Sequence, residues 1–246
     1  MCIIIVKPEN EKLPAKSIIE NCFDSNPDGA GFMYADNDQV HISKGFMKLK
    51  TFYQALGNVD LSLPMVLHFR IATAGGISQH NCHPFPLSND VHSLKALNID
   101  SDIGIAHNGI INIKEETKLS DTQTYIKNIL YPLRDQIDLE PFQNMISLSA
   151  NSSKFAIMKN NGSIILLGDF TKDNGIYYSN SSYKEQSFKS YYKTLWDYDK
   201  DYCYGNYLPE HCPFCYSKDI QKSSYDLICK ECGEVWAGEE MLYRDI

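Results

Sequence analysis

The chain has 246 residues, 43% of them hydrophobic, enough for one large domain with its own core and a small appendage. A net charge of −8 argues against a general nucleic-acid or anionic-membrane surface and favours small polar substrates or protein partners. The apolar start is too short for a membrane span and lacks the basic flank of a signal peptide, so a soluble, cytoplasmic protein is expected.

Cys2 opens the run Cys2-Ile3-Ile4-Ile5-Val6, which reads as a buried strand. Loss of Met1 would leave a cysteine with a free α-amine. A thiol is a strong nucleophile near neutral pH, and an adjacent amine of pKa about 7.7–8.0 can take its proton without a histidine. One residue would then supply both nucleophile and base.

Helical periodicity follows from Ala15 to Phe23. The segment 30–43 then reads as a hairpin turning at Asp36-Asn37-Asp38. A second helix is expected from Leu49 to Leu56. Met65–Arg70 and Ile103–His107 read as buried strands that deliver polar residues at their ends. The strongest helical pattern runs from Thr122 to Arg134, with Tyr125, Ile126, Ile129, Leu130 and Leu133 on one face and Pro132 placed to kink or stop it. Residues 155–167 form a second hairpin around Asn160-Asn161-Gly162. Hairpins interleaved with helices, rather than strict βαβ units, imply an α+β fold of antiparallel sheets covered by helices. The expected divisions are a main domain over residues 1–180, a Ser/Tyr-rich linker or packing segment over 181–208, and a small module over 209–246.

Six separated pieces carry a family resemblance. They are Cys2; Asp28-Gly29-Ala30-Gly31; His68-Phe69-Arg70-Ile71-Ala72-Thr73; Asn81-Cys82-His83-Pro84-Phe85; His107-Asn108-Gly109-Ile110-Ile111; and Ser120-Asp121-Thr122-Gln123. Each alone is weak, but in this order behind a second-position cysteine they resemble the glutaminase domain of class II glutamine amidotransferases, members of the N-terminal-nucleophile hydrolase family. The resemblance covers roughly residues 2 to 180 and implies a layered α/β/β/α sandwich.

Under that resemblance Arg70 holds the substrate α-carboxylate, a task suited to a rigid bidentate donor, although by itself it reads equally as an ion-pair residue. Thr73 helps at the same end. Asn108 and Gly109 supply oxyanion donors from a side-chain amide and a backbone N–H; alone they would read as a common Asn-Gly turn. Asp121 pairs with the substrate ammonium, while Ser120 to Gln123 also satisfies a capping box. Where many members carry His after the residue matching Thr73, this chain has Ala74. His41, His80, His83 and His92 have no metal spacing and receive no role.

Cys212, Cys215, Cys229 and Cys232 form two Cys-x2-Cys pairs around a 13-residue spacer. That spacing suits a closed tetrahedral Zn²⁺ site, structural because no ligand position stays open, and the segment resembles a zinc ribbon. Two disulfides or free thiols would be the alternative. Residues 209–246 hold eight acidic against four basic side chains, the wrong balance for phosphate binding. Protein docking or domain stabilisation is expected instead.

The chain is thus expected to release ammonia from glutamine for an acceptor handled by a partner synthase or other acceptor-processing chain. A different amide substrate, or a non-catalytic adaptor role through the ribbon, are the competing readings.

Overall fold

The computed structural model describes residues 2–72, 76–117, 119–150, 153–184, 218–222, 226–231 and 235–237. Two compact units are present, Met1–Glu185 and Gln186–Ile246.

The first unit holds two antiparallel sheets. The larger has seven strands: β1 (Ile3–Lys7), β2 (Ala30–Asp36), β3 (Gln39–Phe46), β4 (Met65–Phe69), β6 (Asn98–Ser101), β10 (Thr171–Asp173) and β11 (Ile176–Tyr178), in the order β10-β11-β1-β4-β2-β3-β6. The smaller has four: β5 (Phe85–Pro86), β7 (Ile103–Asn108), β8 (Lys154–Lys159) and β9 (Ile164–Leu167), in the order β5-β7-β8-β9. The β2–β3 turn puts Asn37 and Asp38 at φ 49° and 58°, the positive pair that a tight two-residue hairpin needs.

The layer order follows from strand alternation. In β1, Ile3 and Ile5 pack with Ile19, Cys22 and Phe23 of α1 (Lys16–Ser25) and with Phe52 and Leu56 of α2 (Leu49–Leu56). The alternate residues, Ile4 and Val6, meet Ala106, Ala156 and Met158 of the smaller sheet. With both faces buried, β1 has no polar side and reads as a continuous apolar run. Each such side chain contributes about 1.5–3 kcal/mol on burial. The smaller sheet turns Ile105, Phe155 and Ile157 outward onto Tyr125, Ile126, Leu130, Phe142 and Ile146 of the second helical layer. The result is a four-layer α/β/β/α sandwich, α+β with antiparallel sheets, as the sequence implied.

Leu94, from the short helix α3 (Val91–Lys95), joins that second core. The long helix expected from Thr122 to Arg134 changes pitch and then kinks: α4 (Asp121–Tyr125), a π-helical turn over Ile126–Leu130, then 3₁₀ geometry over Tyr131–Gln136 broken at Leu133 (φ −109°, ψ 19°). Pro132 has no N–H to give the residue four back, and its ring crowds that carbonyl, so α-helical pitch cannot continue. The kink at Leu133 carries that side chain off the expected buried face, and it is 40% exposed. Helix α5 (Glu140–Ser149) has no counterpart in the sequence reading; its buried Phe142 and Ile146 are masked in pattern by exposed Met145 and Leu148.

Packing continues past Asn180. Tyr183 is buried and stacks on Tyr178 at 3.6 Å, while its hydroxyl donates to Asp173 Oδ2 at 2.9 Å. The second unit contains an antiparallel sheet of β12 (Ile220–Lys222), β13 (Asp226–Cys229) and β14 (Val235–Ala237). Cys229 ends β13 opposite Ile220. Cys212, Cys215 and Cys232 lie outside the described residues, as do Thr73, Ala74 and most of the 181–208 segment. Among the described residues no cluster of His, Cys, Asp or Glu is arranged to hold a metal, and no helix is long and apolar enough to cross a membrane.

Candidate active site

Four of the expected residues, Cys2, Arg70, Asn108 and Gly109, lie at one end of the two sheets. Ile3 pairs with Phe69 in the antiparallel β1–β4 ladder, so Cys2 and Arg70 are the next pair outward. The Cys2 thiol donates to Ile71 O and accepts from Ile71 N–H, both at 3.4 Å. Burial pushes that thiol up, opposed by the Ile71 N–H and then by the nearby Arg70 charge. A thiol held neutral in this way needs a local base before it can attack.

Arg70 is only 5% exposed, and its Nη2 donates to Gly76 O at 3.0 Å. Its backbone is clamped reciprocally: Arg70 N–H donates to Gly29 O at 2.8 Å and Asp28 N–H donates to Arg70 O at 2.9 Å. Asp28 Oδ2 also accepts from Ala72 N–H at 2.7 Å. The Asp28-Gly29 pair therefore shapes the strand exit that carries Arg70 and Ile71 past the thiol.

Asn108 ends β7 in the other sheet and is buried. Its Nδ2 donates to Ser179 Oγ at 2.8 Å, and the same oxygen accepts from Ile4 N–H at 2.9 Å. Gly109 follows at φ +154°, where a Cβ would sit 2.2 Å from Ser153 Oγ and 2.9 Å from Ser153 Cα. Only glycine lets the backbone pass there.

Asp121 opens α4. Its Oδ2 accepts from Ile111 N–H at 3.0 Å, and its Oδ1 accepts from Thr122 N–H at 2.6 Å and from Thr122 Oγ1 at 3.2 Å. Its carboxylate thus ties the 109–111 turn to α4. The capping box is complete in both directions, with Gln123 N–H donating to Ser120 Oγ and Ser120 N–H donating to Gln123 Oε1.

His68, His83 and His107 are buried close by. The His68 and His83 rings stack at 4.4 Å, His107 stacks on Phe155 at 4.7 Å, His68 Nε2 pairs with His107 O at 3.0 Å, and His107 Nδ1 pairs with Thr122 Oγ1 at 2.9 Å. Burial holds His68 down to about 3, His107 to about 4 and His83 well below the usual range, so all three are neutral at pH 7. His83, which received no role from sequence, packs within this group.

Ser179 and Asn180 were missed by sequence reading, because Ser-Asn after a strand reads as an ordinary turn. Asn180 Nδ2 donates to Cys2 O at 2.8 Å. Nothing in their spacing signals a partner more than 70 residues away.

No family model matches the chain, and no curated protein matches it. Among solved structures, the glutamine phosphoribosylpyrophosphate amidotransferase of B. subtilis, complexed with ADP and GMP, overlays with a TM-score of 0.40 at 16% identity. The overlay covers 72% of this chain and 41% of that one, so the chain spans well under two thirds of that protein's length. An overlay this loose assigns neither family nor activity.

Proposed function

We propose that the chain is a cysteine amidohydrolase of the class II glutamine amidotransferase type, with glutamine as the substrate that suits the site best. The supporting observation is the meeting of Cys2, Arg70 and Asn108-Gly109, drawn from three strands and two sheets, at one end of the sandwich. After Met1 removal, the Cys2 α-amine takes the thiol proton as Sγ bonds to the side-chain amide carbon. The Asn108 amide and Gly109 N–H hold the resulting oxyanion. The ammonium then returns its proton to the departing nitrogen as the C–N bond breaks, releasing ammonia and leaving a thioester. Water attacks the thioester, the C–S bond breaks, glutamate leaves, and the thiol recovers its proton.

Arg70 would bind the α-carboxylate, with the help that the resemblance assigns to Thr73, and Asp121 would pair with the α-ammonium. Release of glutamate and ammonia from glutamine by Met1-free protein, abolished by Cys2→Ala, tests this reading. An absence of turnover with and without a partner chain would sink it. A different amide is the second reading, favoured by Asp121: of about four acceptor sites on a carboxylate, three are already occupied. A screen of glutamine analogues lacking the α-ammonium separates the two.

The second unit is proposed to hold a structural Zn²⁺ on Cys212, Cys215, Cys229 and Cys232. The β12–β13 hairpin follows the first cysteine pair and ends on Cys229 of the second, which suits that arrangement. The metal would supply folding energy, not chemistry. Ammonia would pass to an acceptor on another chain, with the ribbon as a docking element and nucleic acid an unfavoured partner. A cytoplasmic setting fits reduced thiols.

A further inference from the structure

The nucleophile and the oxyanion donor belong to different sheets. Between those sheets Ile4 and Val6 pack against Ala106 and Ala156, an apolar contact with no directional preference, and His68 Nε2 meets His107 O at 3.0 Å, a bond that fixes the β7 backbone but neither the Asn108 side-chain amide nor Cys2. Catalytic groups need placement within about 0.5 Å, which such a contact does not impose. The link that sets Cys2 and the Asn108 amide against one another must come from elsewhere.

Ser179 leaves β11 beside β1, where Tyr178 pairs with Ile5. Its N–H donates to Ile4 O at 3.0 Å, and its Oγ accepts from Ile4 N–H at 2.9 Å, so the hydroxyl stands where a ladder carbonyl would. The same Oγ accepts from Asn108 Nδ2 at 2.8 Å. Its carbonyl accepts from Lys154 Nζ, on the strand residue paired with Asn108. Fully buried, Ser179 thus spends each polar atom on one sheet or the other. Asn180 extends the link: its Nδ2 donates to Cys2 O at 2.8 Å, while its Oδ1 is held by Ser182 N–H at 3.0 Å and Ser182 Oγ at 2.6 Å.

We infer that Ser179 and Asn180 are positioning residues that fix the Cys2 backbone against the Asn108 amide. The inference rests on the amidohydrolase reading above. The terminal torsion of an asparagine is broad, and an unanchored amide would rotate away from any developing charge. Ser179 takes one Nδ2–H and so sets the amide plane; the second N–H, about 120° away in a planar amide, serves the oxyanion. Asn180 pins the carbonyl of the residue that carries both thiol and amine.

The test uses full-length, Met1-free protein. Ser179→Ala is expected to lower kcat about 10-fold to 100-fold, less than the ~10²–10³-fold for removing the donor itself in Asn108→Ala, with KM moving less than about threefold. Placed in the Asn108→Ala background, Ser179→Ala should cost nothing further, and Ser179→Thr in the otherwise wild-type chain should recover most of kcat. Equal losses in both backgrounds would mark a merely structural residue and overturn the inference. Asn180→Ala should change the rate of Cys2 alkylation by iodoacetamide at least about threefold, whereas Ser179→Ala should leave it unchanged. Unaltered alkylation in Asn180→Ala removes that half of the link. The Asn108 side-chain amide signals in ¹⁵N NMR give a readout independent of turnover: the Nδ2 proton held by Ser179 is protected from exchange with water in wild type, and in Ser179→Ala it shifts and exchanges faster. Should the alanine variant not fold, Ser179→Cys, a similar volume and a weak acceptor, takes its place. Unchanged Asn108 signals overturn the inference even if no amide is turned over, and turnover failing with the NMR change present discards the glutaminase reading alone.

Discussion

Cys2, Arg70 and Gly109 each depend on a different physical property. Cys2 is held as a neutral thiol by burial, so its reactivity must come from the neighbouring α-amine. Retention of Met1 is expected to suppress both turnover and alkylation near pH 7, with intact mass and iodoacetamide kinetics as the check. Arg70 is buried and directed by the Asp28-Gly29 clamp, which suits a fixed fork rather than a mobile point charge. Arg70→Lys should raise KM for glutamine by about 10-fold to 100-fold, the loss of a charge-assisted bond worth ~1.5–3 kcal/mol, while a substrate analogue without the carboxylate should be indifferent to the change. Gly109→Ala forces a Cβ into Ser153 at a left-handed φ. It should cost ~1–3 kcal/mol in urea unfolding and remove most of kcat; wild-type stability would contradict the close approach.

The helical run from Asp121 to Gln136 begins in agreement with sequence reasoning and ends apart from it. Ser120 and Gln123 form the capping box that their spacing implies, since local signals of this kind need no distant partner. Gln123 then does more, its Nε2 donating to His80 O at 3.2 Å and Leu94 O at 3.1 Å, the same two carbonyls that receive the buried Lys44 Nζ. That shared use binds the start of α4 to the segment after β4 and was invisible in one dimension. Ser120→Ala should cost about 1 kcal/mol in thermal or urea unfolding. It should also loosen the Asp121 contact with Ile111, seen as faster exchange of the Ile111 amide. The kink at Leu133, just after Pro132, was foreseeable from the proline; which side chains it would carry off the core required the path of the chain.

At the scale of the molecule, the neutral histidines beneath the site make stability depend on pH. In the unfolded chain each titrates near 6.5, but His68 and His107 accept a proton in the folded state only at about 3 and about 4, and His83 is also held well below 6.5. Between those values the unfolded chain binds more protons. Stability present above about pH 6.5 is therefore lost as pH falls, at about 1.4 kcal/mol per pH unit for each histidine. Urea unfolding should weaken steeply between about pH 6 and pH 4, and His107→Gln should flatten that dependence by about one proton. An unchanged slope would place the proton uptake elsewhere. The second unit offers a separate check: metal analysis should find about one Zn²⁺ per chain, lost in Cys229→Ser, and a metal-free protein would remove the ribbon from the proposal.

The sequence by itself determined strands β1 to β4 and β7 to β9, the two hairpins, the cap of α4 and the ordered motifs around Cys2, because each depends on periodicity, turn chemistry or residues close in the chain, whereas β5, β6, β10 and β11 carry too short a pattern. Even the layer order was implied by resemblance before the alternation of Ile3 and Ile5 against Ile4 and Val6 made it concrete. Only the tertiary structure decided that Ser179 and Asn180 join the strand of Cys2 to that of Asn108, that Asp121 spends its carboxylate on Ile111 and Thr122, and that three buried histidines stay unprotonated nearby. Those facts depend on which distant segments share a hydrogen bond or exclude water together, and a hydroxyl or an imidazole carries no mark in sequence of the partner it will meet.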